Sequence, residues 1–306
     1  MAQTRISDIV RLTQAGVDLV FNRAAKMPRR KYYSQIVHEK QQKKQIGNYV
    51  TIGNLGPAGE IPEGDIPLFD KIQQNYETHI TSRKVGKGVE ATIESKEFDL
   101  ENVVNQTFGT PLMRVMQTLK EREVADLYND SFTDTGADGV AICAATHPLQ
   151  SSALVNNNLM TGALTPENLV TAKNMFNFIY DQAGDFFDTE PTHLLIHPNK
   201  SFLAAEILQS QLVAHELSNT KNVTQNFMPI KPIVNKYLDY TAATGVSPWF
   251  LLDMTYDDAG AVLQVKRGLN LKTWWVNESS VFRGLASEWY GSGVISPGYG
   301  LVGSAG

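Results

Sequence analysis

Apolar residues recur at helical spacing through residues 99–130, which hold the longest periodic pattern in the chain. This period predicts one long amphipathic α-helix with a single buried stripe. The stripe consists of Phe108, Leu112, Val115, Leu119, Val124, Leu127 and Tyr128, with Met116 beside it. Thr110-Pro111 either forms the cap and first residue of the main helix or kinks a longer one.

A second helix is predicted between Thr165 and Gly184. Thr165 is a good N-cap, Pro166 suits the first helical position, and Gly184 is a typical stop. The apolar positions on one face of this helix are Leu169, Ala172, Phe176, Ile179 and Ala183. A third helix is predicted over residues 199–211, directly after a short apolar strand at 193–198.

The remaining apolar runs are short and rich in β-branched and aromatic residues, which is typical of strands. They cover residues 232–238, 249–254, 261–268, 271–276 and 281–295. Residues 76–95 are predicted to form two β segments with Gly86 and Gly88 between them, and residues 1–40 to be helical or irregular. Helices interleaved with strands in this way indicate the α+β class.

Residues 46–72 fit neither a core element nor a free linker. The stretch holds five glycines and three prolines, yet Ile, Val, Leu, Tyr and Phe run through it. Structureless loops longer than about 12–15 residues are uncommon in compact domains. Together with residues 76–95 it predicts a long two-stranded extension, which needs another surface to be stable.

The charge is unevenly distributed along the chain. Residues 1–50 contain ten Lys or Arg and three Asp or Glu, a formal charge of +7, while the other 256 residues sum to −12. A basic arm on an acidic body indicates contact with a polyanion or with another copy of the body. Simple solvated charge is the alternative interpretation.

The search for catalytic chemistry finds only weak candidates. His193, His197 and Glu216 are the nearest approach to a metal-dependent hydrolase, but they lack the HExxH spacing, and a strand-ending role for His197 is favoured. His147, before a proline, is expected to act similarly in a turn. Cys143 is expected to be a small buried residue. No cofactor and no metal is expected, and no membrane span is predicted.

The order of several segments resembles a tailed-bacteriophage major capsid protein of the HK97 type and, within that type, the Mu-like head-subunit group. The segment "RKVGKGVEATIESKEFDLENVV" is similar to the return of the E-loop, a long β-hairpin, into the spine helix of the P domain. "ADGVAICAATHPL", "NNNLMTGALTPENLVTAKNMF" and "THLLIHPNKSFLAAEILQS" resemble the A domain. "SPWFLLDM" and "RGLASEWYGSGVISPGYGLVGSAG" resemble the closing strands.

The resemblance implies five regions and two sets of intersubunit residues. The regions are an N-terminal arm at 1–44, an E-loop at 45–93, a P domain with the spine helix at 94–130, an A domain at 131–257 and return strands to the P domain at 258–306. The E-loop residues expected to contact another copy are Tyr49, Ile52, Leu55, Pro57, Ile61, Pro62, Ile66, Leu68 and Phe69. The expected contacts of the basic arm are Arg29, Arg30, Lys31, Lys40, Lys43 and Lys44.

The resemblance also implies a structural protein of the virion rather than an enzyme. Pentamers and hexamers would form an icosahedral shell around double-stranded DNA, after assembly in the host cytoplasm. Expected partners are a portal protein, a separate scaffolding protein and a decoration protein, with no propeptide cleavage and no transferable cross-link residues. The alternatives are an encapsulin-like nanocompartment shell and, from another class, the metal-dependent hydrolase.

Overall fold

The computed structural model describes residues 31–52, 59–61, 64, 66, 69, 74–92, 103–150, 152–209, 229–241, 243–255, 260–276, 281–296 and 298–306. The longer helices are α1 Val103–Asn129, α2 Pro166–Phe176 and α3 Ser201–Gln209, and the short 3-10 helices are Tyr33–Gln35, Asp130–Phe132 and Pro198–Lys200. The strands are β1 His38–Gln41, β2 Ile46–Ile52, β3 Gln74–Thr81, β4 Arg83–Thr92, β5 His147–Pro148, β6 Val155–Asn156, β7 Leu159–Met160, β8 His193–Ile196, β9 Lys231–Val234, β10 Trp249–Leu252, β11 Ala261–Val276, β12 Val281–Val294 and β13 Leu301–Ser304.

A four-stranded sheet in the order β1-β11-β12-β4 forms one part of the protein. Strand β11 is continuous, so the predicted break between residues 268 and 271 is wrong; the pairing with β12 only shifts register there. Gly86 and Gly88 lie inside β4, and the actual break falls at Ser82. Strand β1, parallel to β11, replaces part of the helical or irregular segment expected before residue 40.

Helix α1 packs across one face of this sheet and is unbroken from Val103 to Asn129, with Pro111 inside it. Its first half contacts the sheet through Leu112, Met113 and Met116, which pack with Ala286 and with Val85, Val89, Leu269 and Leu271. The predicted buried stripe is wrong at two positions, because Val115 is 47% and Leu119 39% exposed. Lys120 and Glu121 are buried instead.

A five-stranded sheet in the order β7-β13-β10-β8-β9 forms a second layer, and α2 and α3 contribute to its core. The Thr165 hydroxyl accepts a hydrogen bond from the Asn168 N–H at 3.2 Å, which confirms the predicted cap. The helix ends at Phe176, so the predicted end at Gly184 is wrong. Strands β8 and β9 are parallel neighbours joined through α3, and the core between the two sheets includes Phe250 and Tyr290.

The segment around residue 46 pairs with the segment around residue 80, as the sequence predicts. Strands β2 and β3 form a separate antiparallel ribbon with Ile46 opposite Thr81 and Val50 opposite Glu77. Strand β4, expected to extend this ribbon, belongs to the four-stranded sheet instead.

Candidate intersubunit surfaces

The base of the ribbon is fixed to the body by one buried side chain, Gln264 of β11. Its amide Nε2 donates to Ser82 Oγ at 2.8 Å, and its Oε1 accepts from the Tyr49 hydroxyl at 3.0 Å. A Cβ on Gly47 would lie 1.9 Å from Gln264 Oε1, so a larger residue at position 47 would displace this contact. Tyr49 also packs against Ile80 and its neighbours, so it has a defined role within its own chain.

Strand β3 runs alongside β12 beyond Tyr290, the β12 residue that lies opposite the first residue of β4, Arg83. The Thr78 hydroxyl donates to the Ile295 carbonyl at 2.8 Å. A Cβ on Gly291 would lie 2.5 Å from the Thr81 carbonyl oxygen, so the two backbones approach too closely for a side chain there. The Tyr76 hydroxyl donates to the Pro148 carbonyl at 3.1 Å. The ribbon therefore leaves the body in one defined direction.

Three of the described residues near the ribbon tip have apolar side chains that are open to solvent. Ile61, Ile66 and Phe69 are 56%, 80% and 83% exposed. Of the other predicted E-loop residues, the side chain of Ile52 and all of Leu55, Pro57, Pro62 and Leu68 lie outside the described residues.

The structure describes four of the six residues predicted for the basic arm, and these four differ in their surroundings. Arg29 and Arg30 lie outside the described residues, and Lys31, Lys43 and Lys44 are exposed. Lys40 lies in β1, with its Nζ 5.6 Å from the centre of the Tyr49 ring.

Residues just after Lys31 are anchored to the body of the same chain. The backbone N–H groups of Tyr32 and Tyr33 donate to the Glu121 carboxylate at 2.9 and 3.0 Å. Burial raises the pKa of Glu121 above its ordinary value, although these N–H donors oppose the shift. The Tyr128 hydroxyl donates to the Ile36 carbonyl. Only the chain before Tyr32 is therefore available as an arm.

A second contact of α1, the ion pair between Lys120 and Glu288 of β12, was missed by sequence analysis, although the pattern contains a signal for it. Leu112, Met116, Val124 and Tyr128 are buried members of one series with four-residue spacing, and Lys120 occupies its middle position. A charged residue inside a buried apolar series indicates a buried partner for it. Glu288 of β12 is that partner, and the two side chains form a buried ion pair.

The residues of the hydrolase alternative have other roles. His197 accepts a hydrogen bond from the Asn199 N–H at 3.3 Å and stacks on Tyr240, which confirms its local role at the end of a strand. His193 contacts Thr192 Oγ1 at 2.8 Å, and Glu216 lies outside the described residues. Within the described ranges, no group of three or more His, Cys, Asp or Glu side chains could hold a metal ion.

His147 is more than a turn residue, contrary to the prediction. Its side chain is buried, with Nδ1 2.6 Å from Asp138 Oδ2 and Nε2 3.0 Å from Asn158 Oδ1. A Cβ on Gly298 would lie 3.1 Å from the His147 ring. The imidazole therefore ties three separate segments together. Cys143 is buried, as predicted. No helix in the described part of the chain is long and apolar enough to cross a membrane.

Comparison with known proteins gives a consistent result. The sequence profile of the family described as "Phage capsid protein" matches residues 75–291. No curated protein sequence matches the chain. The encapsulin of Synechococcus elongatus superposes with a TM-score of 0.56 at 12% identity, covering 92% of this chain and 88% of that one.

Two further solved structures share the same architecture. The capsid of the cyanophage P-SCSP1u has a TM-score of 0.56 at 11% identity, covering 88% of this chain and 85% of that one. The virus-like particle from Pyrococcus furiosus has a TM-score of 0.51 at 11% identity, covering 95% and 98%. At such low identity these similarities establish the fold, which is the HK97 capsid fold.

Proposed function

Because the chain belongs to the phage capsid protein family, we propose that its β2–β3 ribbon and the residues before Tyr32 join it to neighbouring copies. The protein is a major capsid subunit, a structural component of the virion shell. The ribbon corresponds to the E-loop of this fold, and the basic N-terminal residues correspond to its arm. Copies related by rotation would form pentamers and hexamers that close into an icosahedral head.

The observation that carries this proposal is the exposed apolar tip of the ribbon. A two-stranded ribbon is marginally stable in water when it packs on nothing. Ile61, Ile66 and Phe69 present apolar surface to solvent, and burying such surface contributes about 25 cal/mol per Å². In a shell, every subunit has neighbouring copies of the same chain. Each ribbon can therefore pack on the body of a neighbour, and each body receives the ribbon of another copy.

The anchor at Tyr32 and Tyr33 supports the same arrangement for the arm. Because Glu121 holds these two residues on their own body, the arm has a fixed point of departure. Its five arginines and two lysines, at positions 5–31, would reach either the acidic surface of a neighbour or packaged DNA. Within the phage capsid family, we propose that the chain belongs to the Mu-like head-subunit group.

The remaining partners follow from the same function. We propose a portal protein, a separate scaffolding protein and a decoration protein as partners, and assembly in the host cytoplasm. Packaged double-stranded DNA would be contacted without sequence readout, because a net acidic body limits tight adhesion to phosphates. No catalytic role and no cofactor are proposed.

A second candidate function is a protein nanocompartment, favoured by the similarity in fold to the encapsulin of Synechococcus elongatus. Both functions require a closed shell. They differ in what the shell encloses and in the partner proteins that it needs. Particles that package DNA in the presence of a portal would support the phage head. Particles that enclose a protein cargo without a portal would support the nanocompartment.

Removal of residues 53–64 tests the role of the ribbon. The shortened protein should keep the circular dichroism spectrum of a folded body and lose the ability to form closed shells in electron microscopy. Gly59→Ala is the control, because a Cβ at position 59 would meet no described atom within 4 Å. Closed shells from the shortened protein would contradict the proposal, and global unfolding would assign the segment to the core.

A further inference from the structure

An exposed aromatic hairpin lies on the path from α2 to β8. The Phe187 N–H donates to the Ile179 carbonyl at 2.8 Å, so residues 178–188 fold back on themselves. Side chains alternate between the two sides of such a paired segment. Ile179 is buried in the core beside α2, whereas Phe178 and Phe186 are 62% and 67% exposed. Residues 178–188 are called the aromatic hairpin below, and its outer side presents large apolar side chains to solvent.

Two more exposed apolar residues adjoin the aromatic hairpin. Leu154 and Val155 are 43% and 50% exposed. The Asn156 side chain accepts from the Tyr180 N–H at 2.8 Å and donates to the Tyr180 carbonyl at 2.7 Å, which holds this segment against the hairpin. Contiguous apolar patches on the surface of a protein commonly mark interaction sites.

The same surface is acidic. Residues 174–199 contain no Lys or Arg, and the longer stretch 123–199 contains ten acidic side chains and a single basic one. Asp185, Asp188 and Glu190 are exposed on or beside the hairpin. The name acidic aromatic patch is used below for Leu154, Val155, Phe178, Asp185, Phe186 and Asp188. An occupant that is both apolar and basic would match this patch.

The N-terminal residues 1–30, which lie outside the described part of the chain, have both properties. They contain six Lys or Arg and two Asp, a formal charge of +4. The spacing of their apolar residues predicts an amphipathic helix with one apolar face. These apolar residues are Ile6, Ile9, Val10, Val17, Val20 and Phe21. An amphipathic helix that lays its apolar face on a complementary surface is a recurrent mode of recognition.

The start of the arm and the patch lie at opposite edges of the five-stranded sheet. The Lys231 Nζ of β9, one edge strand, donates to Gln35 Oε1 at 3.0 Å, so the arm leaves the body beside β9. Leu154 and Val155 lie just before β7, the other edge strand. Each arm therefore starts on the far side of the sheet from the patch of its own chain. In a head-to-tail ring, opposite edges of successive copies meet.

We propose that the acidic aromatic patch is the docking site for residues 1–30 of a second copy of this chain. This inference rests on the proposed shell function, and it assigns the arm to a neighbouring subunit instead of packaged DNA. Phe178 and Phe186 cover the apolar face of the arm, and its basic residues lie beside Asp185 and Asp188. Complementary charge mainly sets specificity and the rate of encounter, and burial of apolar surface supplies the affinity.

Cross-linking in assembled particles tests which copy receives the arm. Particles are assembled from a mixture of isotopically light and heavy chains and treated with a zero-length carbodiimide cross-linker. Lys26 should be joined to Asp185 or Asp188, and mass spectrometry should find pairs of one light and one heavy chain among the products. Glu167 is the matched control, because it is exposed at the opposite end of α2 from the aromatic hairpin and should remain unlinked.

Protection of the arm from trypsin measures how firmly it is docked. In wild-type particles, cleavage after Arg11 should be slow, because docking covers this part of the arm. Asp185→Lys with Asp188→Lys should accelerate this cleavage about tenfold or more, because proteolysis follows the population of the undocked arm. Phe178→Ser with Phe186→Ser should have the same effect through the loss of apolar contact. All four side chains are exposed, so the wild-type thermal unfolding temperature should be kept.

A charge exchange separates docking from other effects of these substitutions. Arg23→Glu with Lys26→Glu, placed in the Asp185→Lys, Asp188→Lys background, should restore protection of the bond after Arg11. The two arm substitutions alone should leave this bond open to trypsin.

The control variant for both measurements is Glu167→Lys, which changes the charge of an exposed residue outside the patch. It should keep the wild-type rate of cleavage.

The outcomes distinguish the two proposals. A wild-type protein that never assembles overturns the shell function and the docking site together. Wild-type particles in which Lys26 is linked only within its own chain, or in which both patch variants stay as protected as the wild type, overturn the docking site alone. Protection that appears only when the particles contain DNA would assign the arm to nucleic acid and overturn the inference.

Discussion

Lys120 of α1 and Glu288 of β12 form an ion pair that joins the long helix to the four-stranded sheet, with both residues at least nine-tenths buried. The Lys120 ammonium also lies over two aromatic rings, 5.3 Å from the centre of Tyr33 and 5.2 Å from that of Tyr290. One cation thus connects the N-terminal segment, the helix and the sheet.

Breaking this pair should strongly destabilise the unassembled subunit. Lys120→Met leaves the Glu288 carboxylate buried without its partner, which costs about 3–5 kcal/mol in comparable pairs. The free energy of unfolding, measured by urea titration at neutral pH, should fall by that amount. Lys120→Met combined with Glu288→Leu should recover most of the loss, because no uncompensated charge remains.

The exposed pair Arg283–Glu90 is the matched control for this measurement. Glu90→Gln should change the free energy of unfolding by about 0–1 kcal/mol, because both side chains remain largely hydrated. Equal losses for Lys120→Met and Glu90→Gln would show that burial of the Lys120 pair is not important for stability.

Gly303 of β13 should not tolerate a side chain. A Cβ at this position would lie 2.7 Å from Phe250 Cδ1 and 2.8 Å from Cys143 Sγ, inside the core between the sheets. Gly303→Ala should therefore lower the free energy of unfolding by about 1–3 kcal/mol through overpacking. Gly268→Ala, where a Cβ meets no described atom within 4 Å, should be nearly neutral in the same urea titration.

The thiol of Cys143 should be unreactive in the folded subunit. Burial raises its pKa to about 12, and a hydrogen bond with Ser131 opposes the shift only in part. Since the thiolate is the reactive form, iodoacetamide at pH 8 should leave the native protein unmodified and should label it fully in denaturant. Mass spectrometry reads the result, and rapid labelling of the native protein would contradict the buried location.

Local signals in the sequence predicted several elements correctly. Thr165 and Pro166 specify where α2 begins because capping depends only on adjacent residues. The ribbon formed by β2 and β3 was also predicted, because a long apolar stretch rich in glycine and proline fits few other structures. The family resemblance supplied the fold class, which the comparisons confirm.

Features that depend on distant residues could not be predicted in this way. The rotation of α1 about its axis depends on where Glu288 lies, so Lys120 is buried while Val115 and Leu119 are exposed. Gly86 and Gly88 resemble a turn in sequence, yet pairing with β12 keeps both residues inside β4. Ser82, held by Gln264 from a strand about 180 residues later, marks the actual break.

The candidate intersubunit residues were predicted in part as well. Ile61, Ile66 and Phe69 are exposed near the tip, as residues that contact another copy need to be. Tyr49, in contrast, has a specific hydrogen bond within its own chain, which composition alone does not indicate. Their contacts with a second copy stay predictions.

Negative-stain electron microscopy of the purified protein tests the central claim most directly. A major capsid subunit should form uniform icosahedral shells or rings of five and six subunits, either alone or with its natural scaffold. A dispersed monomer under all conditions, including co-expression with that scaffold, would contradict the account.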